Sequence, residues 1–141
     1  MTSDWAAQRR EAARVHEAAL AAARATEQAK AQALLDGFVA ELQARGVPQV
    51  RLVASGYSGG KYRTNVTGWY LRANESLAVD AEARYYVLTV PGGLGARLRG
   101  AELTPQAPPL IIGRGGRDGE QMDLADLIAV RLQELSGESA D

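Results

Sequence analysis

Apolar side chains in the first 45 residues recur with the three- to four-residue spacing of a helix. Between Trp5 and Arg45 there is no proline and a single glycine, and the segment is rich in Ala, Glu, Gln, Arg and Leu. These are the strongest helix formers, and a glycine with a proline shortly after it, here Gly46 and Pro48, is typical of a helix end. The pattern predicts one long Ala-rich helix over residues 1–46.

The two halves of this helix differ in their apolar stripes. The second half has a dense stripe that is suited to a core, formed by Leu34, Leu35, Phe38, Val39 and Leu42. The stripe of the first half is thin and made largely of small side chains, and we assign it to self-association: Trp5, Ala12, Val15, Ala19, Leu20 and Ala22.

The length of the helix motivates that assignment. About forty residues of helix span roughly 60 Å, whereas a six-residue strand spans about 20 Å. The first half is therefore predicted to extend beyond the sheet and to lie against another helix, from this chain or from a second subunit. The alternatives are a solvated, partly frayed helix or a break near 25–26 or 36–37.

After Pro48 the apolar spacing changes from the helical period to a period of two. Strands are predicted at 49–54, 61–72, 76–79 and 84–90, with connections too short for crossover helices, so the expected arrangement is an antiparallel meander. A bulge is expected at Gly68. The segment that follows is rich in Pro and Gly, with short strands expected at 96–103 and 110–112, and an amphipathic helix follows Asp123.

Together these elements predict an α+β fold. The expected architecture is a long N-terminal helix, an antiparallel β-meander of three to five strands and a C-terminal helix, with both helices on one face of the sheet. A chain of 141 residues has the length of one domain. The single domain 1–141 divides into three parts. The long helix covers residues 1–46, and the sheet with its loop covers residues 47–112. Residues 113–141 form a Gly-rich loop, the last helix and a short acidic tail.

Composition limits the chemistry of the chain. It contains no cysteine, which excludes disulfides and thiolate catalysis. The arginines among its first residues interrupt any signal-like apolar run, and no later stretch is apolar enough to span a membrane. We therefore expect a cytoplasmic protein with no membrane association. Arginine far outnumbers lysine, a bias that suggests a GC-rich bacterial coding sequence.

The stretch LIIGRGGRDGE at 110–120 has the outline of a phosphate-binding loop, because glycines free backbone amides to face an anion at a helix start. It lacks the lysine and the hydroxyl residue of a P-loop. Its acids would repel phosphate and do not have the spacing of a calcium loop. We interpret it as a flexible loop with helix-capping acids, and we expect no cofactor and no metal.

Catalytic motifs are also incomplete. GYSGG at 56–60 has the letters of a nucleophile elbow, but that motif needs a strand-to-helix turn and a later histidine, whereas a strand follows here and His16 lies upstream. We interpret the match as a glycine-rich hairpin connection and His16 as a solvated helix position. No catalytic residue is assigned, and the sequence favours a protein that is not an enzyme.

The charge is unevenly distributed, with a net +5 over residues 46–117 and −6 over residues 118–141. Alternation along the strands predicts an outward face with arginines beside an aromatic, a pattern that can hold phosphates and bases. We assign six residues to anion or nucleic-acid contact: Arg51, Arg63, Tyr70, Arg72, Arg114 and Arg117. The last two belong to the Gly/Arg loop 113–119.

Two functional hypotheses follow. The first is a non-enzymatic protein-protein interaction module that forms a homodimer, or binds another protein, through its N-terminal helix. The second is anion or nucleic-acid binding through the basic sheet face and the loop 113–119. The net charge of −1 weighs against nucleic acid as the partner.

Overall fold

The computed structural model describes residues 2–113 and 121–139 and confirms the α+β fold. The first helix, α1 (Thr2–Ala44), is continuous through both positions, 25–26 and 36–37, that are alternatives for a break. It ends where Gly46 adopts a φ of 70°, a left-handed conformation that suits glycine. The Val47 N–H then donates to the Leu42 carbonyl at 3.0 Å and closes the last turn.

Five strands form the main sheet in the order β4-β3-β2-β1-β5. Their bounds are β1 (Val50–Gly56), β2 (Lys61–Tyr70), β3 (Leu77–Val79), β4 (Tyr85–Val87) and β5 (Thr89–Val90). The meander from β1 to β4 is antiparallel as predicted, but β5 pairs with β1 in parallel. The sheet is therefore mixed.

A single residue, Leu88, joins the two ends of this sheet. It separates β4 at one edge from β5 at the other, and it is fully buried. Its N–H donates to the Ser76 carbonyl next to β3 at 2.9 Å, and its carbonyl accepts from the Ser55 N–H of β1 at 2.7 Å. The sheet thus curls round on itself into a small barrel. Leu52, Ala78 and Tyr86 pack with Leu88 in its interior.

The irregular pairing predicted at Gly68 occurs elsewhere in β2. Arg51 pairs with Thr67 and Val53 pairs with Arg63, so the register between β1 and β2 shifts at this point. The extra residues of β2 therefore lie between Arg63 and Thr67. Gly68 instead allows close packing, because a Cβ atom there would lie 2.1 Å from the Val79 carbonyl oxygen.

Both long helices cover one face of the sheet, as predicted. The last helix, α3 (Leu124–Ser139), packs with the second half of α1 on the strands. Phe38 of α1, Leu127 of α3 and Trp69 of β2 belong to the same buried cluster. The Trp69 indole donates to the Val47 carbonyl at 3.0 Å, and Arg131 Nε donates to the Tyr70 carbonyl at 2.9 Å.

The remaining elements complete the other surfaces. A short helix, α2 (Leu94–Arg99), follows β5, and the next residues pair with the sheet at Ala101 and Gln106. Leu103 between them is buried against the barrel interior. The strands β6 (Ile111–Ile112) and β7 (Met122–Asp123) form a separate antiparallel pair just before α3. The short strand expected at 110–112 therefore does not join the main sheet.

Candidate functional site

The first half of α1 is exposed to solvent over most of its length. From residue 4 to residue 30 every position is exposed except Ala6 and Glu27, which are half-buried, and the first fully buried residue is Ala31. These 27 residues span about 40 Å. We call residues 4–30 the projecting helix.

The projecting helix carries an apolar stripe on a different side from the core. At 100° per residue, five of the six residues assigned to self-association fall within an arc of about 100°: Trp5, Ala12, Val15, Ala19 and Ala22. Ala19 lies about 160° from Leu35, which is fully buried in the core. Leu20, the sixth residue, lies instead on the side of Phe38. The structure therefore brings five of these residues together and separates Leu20 from them.

The large side chains of this stripe are exposed to solvent. Trp5 and Val15 are each 60% exposed. The Arg9 guanidinium lies over the Trp5 ring, 4.4 Å from its centroid, within the distance of a cation–π contact. Arg9 forms no ion pair with a described residue, so its charge is available to a partner.

A groove of about 640 Å³ lies at the base of the projecting helix. We call it the α1–β6 groove. Its apolar walls come from Ala23, Leu34, Leu110, Ile111 and Ala125, and its polar rim from Thr26, Glu27, Lys30 and Asp123. The pattern of apolar residues could not reveal this groove, because it depends on where the β6–β7 pair packs against α1.

A second, larger groove of about 1240 Å³ lies where β1 and β2 meet the segment around α2. We call it the basic groove. Four cationic side chains and one acidic side chain line it: Arg51, Lys61, Arg63, Arg99 and Glu102. Among the described residues, no carboxylate lies within 4.0 Å of any of the four cations. The described lining side chains therefore carry a net positive charge that no ion pair among them neutralises.

Only some of the residues predicted to contact an anion lie together in the structure. Arg51 and Arg63 both line the basic groove. Tyr70 is half-buried against the barrel interior, where its hydroxyl accepts from the Val53 N–H at 3.1 Å. Arg72 is half-buried just beyond the end of β2 and lies outside the groove. Arg114 and Arg117, with the loop they belong to, lie outside the described residues.

Two cations of the groove were missed from the sequence. Lys61 precedes Arg63 by two residues in the same strand, so the alternation that exposes Arg63 could have indicated it. Arg99 comes from α2, within a segment for which an irregular loop and a strand were expected, and no local pattern pointed to it.

A buried carboxylate, Asp80, organises the turn between β3 and β4. Its Oδ1 accepts from the backbone N–H groups of Glu82 and Arg84 at 3.0 and 2.9 Å. Its Oδ2 accepts from Arg84 Nε at 2.6 Å and from the Tyr86 hydroxyl at 2.8 Å. With both oxygens engaged in this way, the carboxylate fixes the turn, in which Ala83 adopts a φ of 62°.

These contacts determine the ionisation of the turn. Burial opposes ionisation of Asp80, but the hydrogen bonds from Arg84, Tyr86 and Glu82 outweigh it and lower its pKa below the ordinary value of 3.8. Burial, together with the hydrogen bond to Asp80, raises the pKa of Tyr86. The turn therefore combines an ionised carboxylate with a neutral phenol.

The described part of the chain lacks a metal-binding cluster and a membrane-spanning helix. It contains no group of three or more His, Cys, Asp or Glu side chains that could hold a metal ion. None of the helices found there is long and apolar enough to cross a membrane. Comparison of the chain with protein-family models, with curated proteins and with solved structures found no match.

Proposed function

We propose that this chain is a protein-protein interaction module that forms a homodimer through the projecting helix. The observation that carries the proposal is an exposed helical segment of 27 residues with an apolar stripe turned away from its own core. Helices in proteins gain most of their stability from packing an apolar face against a neighbour. A second copy presents the same stripe and supplies such a neighbour.

The size of the side chains supports a helix as the neighbour. Three of the five stripe residues are alanines, and small side chains allow the backbones of two helices to approach closely. Trp5 and Val15 supply exposed apolar area beside them. We also place the module in the cytoplasm, a reducing compartment that suits a chain without cysteine.

A pair of matched substitutions tests the dimer. Ala19→Glu introduces a charge into the centre of the stripe, whereas Ala21→Glu makes the same change about 160° away on the same exposed helix. Glutamate is a good helix former, so both variants keep the helix. We expect Ala19→Glu to elute as a monomer in size-exclusion chromatography with light scattering, and Ala21→Glu to elute with the wild type as a dimer. Equal masses for all three proteins would refute the proposal.

Polyanion binding in the basic groove is a second candidate function. The observation in its favour is the convergence of four cations that have no carboxylate within ion-pair distance among the described residues. Phosphate contacts made by such cations release counterions, so affinity falls steeply as salt rises.

Single-stranded DNA and heparin are suitable probes of this groove. Arg63→Glu is expected to weaken binding at low salt and to flatten the dependence of affinity on salt. Arg72→Glu makes the same charge change outside the groove and serves as the control. If the wild type fails to bind either polyanion at low salt, the second function is excluded.

A further inference from the structure

We propose that the two projecting helices pair in antiparallel orientation and that Trp5 of each copy occupies the α1–β6 groove of the other. This inference rests on the proposed dimer and specifies its geometry. Its basis is the juxtaposition of an exposed indole at one end of the projecting helix with an apolar groove at the other end.

Distance excludes filling of the groove by Trp5 of the same chain. Trp5 and Ala23, the first groove residue, are separated by 18 residues of continuous helix, which is about 27 Å. A parallel partner would place its own Trp5 beside this one, equally far from the groove. Only an antiparallel copy brings a second Trp5 to the base of the helix.

The spacing of the stripe defines a register for that pairing. From Trp5 the stripe residues follow at intervals of seven, three, four and three, which is the spacing of helices that pack along their length. In the antiparallel register that sets Val15 opposite Ala19 of the second copy, Trp5 lies level with residue 29, within the part of α1 from Ala23 to Leu34 that lines the groove. Val15 thus meets an alanine and Trp5 meets the groove, whereas a parallel pair would place Trp against Trp and Val against Val.

Charge complementarity supports the same register. The Arg9 guanidinium stacks on the Trp5 ring and accompanies it to the groove, whose rim carries Glu27 and Asp123. In this register Arg9 lies level with residue 25 of the second copy, two residues or about 3 Å along the helix from Glu27. The rim has two carboxylates and one lysine, and Arg9 supplies the cation that balances it.

Cysteine pairs test the orientation, because the natural chain has no cysteine. A disulfide requires Cα atoms within about 7 Å. In the proposed register position 12 lies opposite position 22 of the other copy, while the two copies of position 12 are about 15 Å apart. We expect Ala12→Cys and Ala22→Cys to cross-link as a mixture under mild oxidation and neither to cross-link alone. Cross-linking of each variant alone would show a parallel dimer and overturn this inference while leaving the proposed function intact.

Two further variants test the groove. Trp5→Ala removes the occupant, and Ala125→Glu places a charge in the exposed groove wall, while Ala129→Glu makes the same change one turn further along α3, outside the groove. Tryptophan anchors at interfaces are worth roughly 30-fold in affinity or more. We expect Trp5→Ala and Ala125→Glu to raise the dimer dissociation constant by at least that factor and Ala129→Glu to leave it unchanged. A dimer that is insensitive to both groove variants would overturn the groove assignment, and a monomeric wild type would overturn the proposed function itself.

Discussion

Replacing Asp80 with asparagine tests whether its carboxylate holds the turn between β3 and β4. Asparagine keeps the shape of the side chain and an acceptor oxygen, so the two hydrogen bonds from backbone N–H groups at Oδ1 can persist. The two at Oδ2 are lost, because an amide NH₂ group cannot accept from Arg84 or from the Tyr86 hydroxyl.

The expected cost comes mainly from Tyr86. About half of the Arg84 side chain is exposed, so its partner can be replaced by water. The hydrogen bond from the Tyr86 hydroxyl is buried and has a charged acceptor, and such bonds contribute about 2 kcal/mol. We therefore expect Asp80→Asn to lower the free energy of unfolding by about 2 kcal/mol at neutral pH.

The pH dependence gives a second, independent check. The pKa of Asp80 is below 3.8 in the folded chain, so its contribution to stability is present above that ordinary value and is lost as pH falls through the lowered pKa. The difference in stability between wild type and variant should stay constant from neutral pH down to about pH 5 and narrow below about pH 4.

Urea unfolding followed by the fluorescence of buried Trp69 measures these differences. The wild-type, Asp80→Asn and Glu82→Gln chains are all compared in an Ala19→Glu background, so that self-association does not contribute to the unfolding equilibrium. Glu82→Gln removes the same charge from a well-exposed residue of the same turn and should cost less than about 0.5 kcal/mol. A stability for Asp80→Asn equal to wild type at neutral pH, or a difference that grows in acid, would refute the reasoning.

Three other substitutions have effects of predictable sign. Burial raises the pKa of Tyr85 from 10.0 to about 12, so the wild type should lose about 2–3 kcal/mol of stability as pH rises between these values. In urea titrations Tyr85→Phe should remove this part of the alkaline loss and leave the part due to Tyr86, whose pKa is also raised. Gly68→Ala should lower the free energy of unfolding by more than about 2 kcal/mol, because its Cβ would collide with the backbone of Val79. Gly37→Ala has open space around the new Cβ and should raise the free energy of unfolding by about 0.5–1 kcal/mol. Thermal unfolding that ranks the two alanine variants in the reverse order would contradict this.

The sequence predicts the helices and strands of this fold better than it predicts how the sheet closes into a barrel. A long run of helix formers without proline was enough to identify α1, and period-two spacing located the strands of the meander. The pattern does not say which strands share an edge. That depends on the hydrogen bonds of Leu88, whose N–H and carbonyl join opposite ends of the sheet.

The same limit applies to the surfaces. Alternation along the strands correctly predicted that Arg51 and Arg63 are exposed, because each lies on a strand that has one solvated face at that point. It also predicted an outward Tyr70, but the curled sheet encloses that side chain with Leu52 and Ala78. The α1–β6 groove joins residues far apart in the chain, so local pattern could not indicate it.

Sedimentation equilibrium of the wild-type chain over a wide range of concentration tests the central claim most directly. Self-association through the projecting helix predicts a mass that rises to twice the 15.0 kDa of one chain as concentration increases. A mass that stays at 15.0 kDa at every concentration would contradict the account.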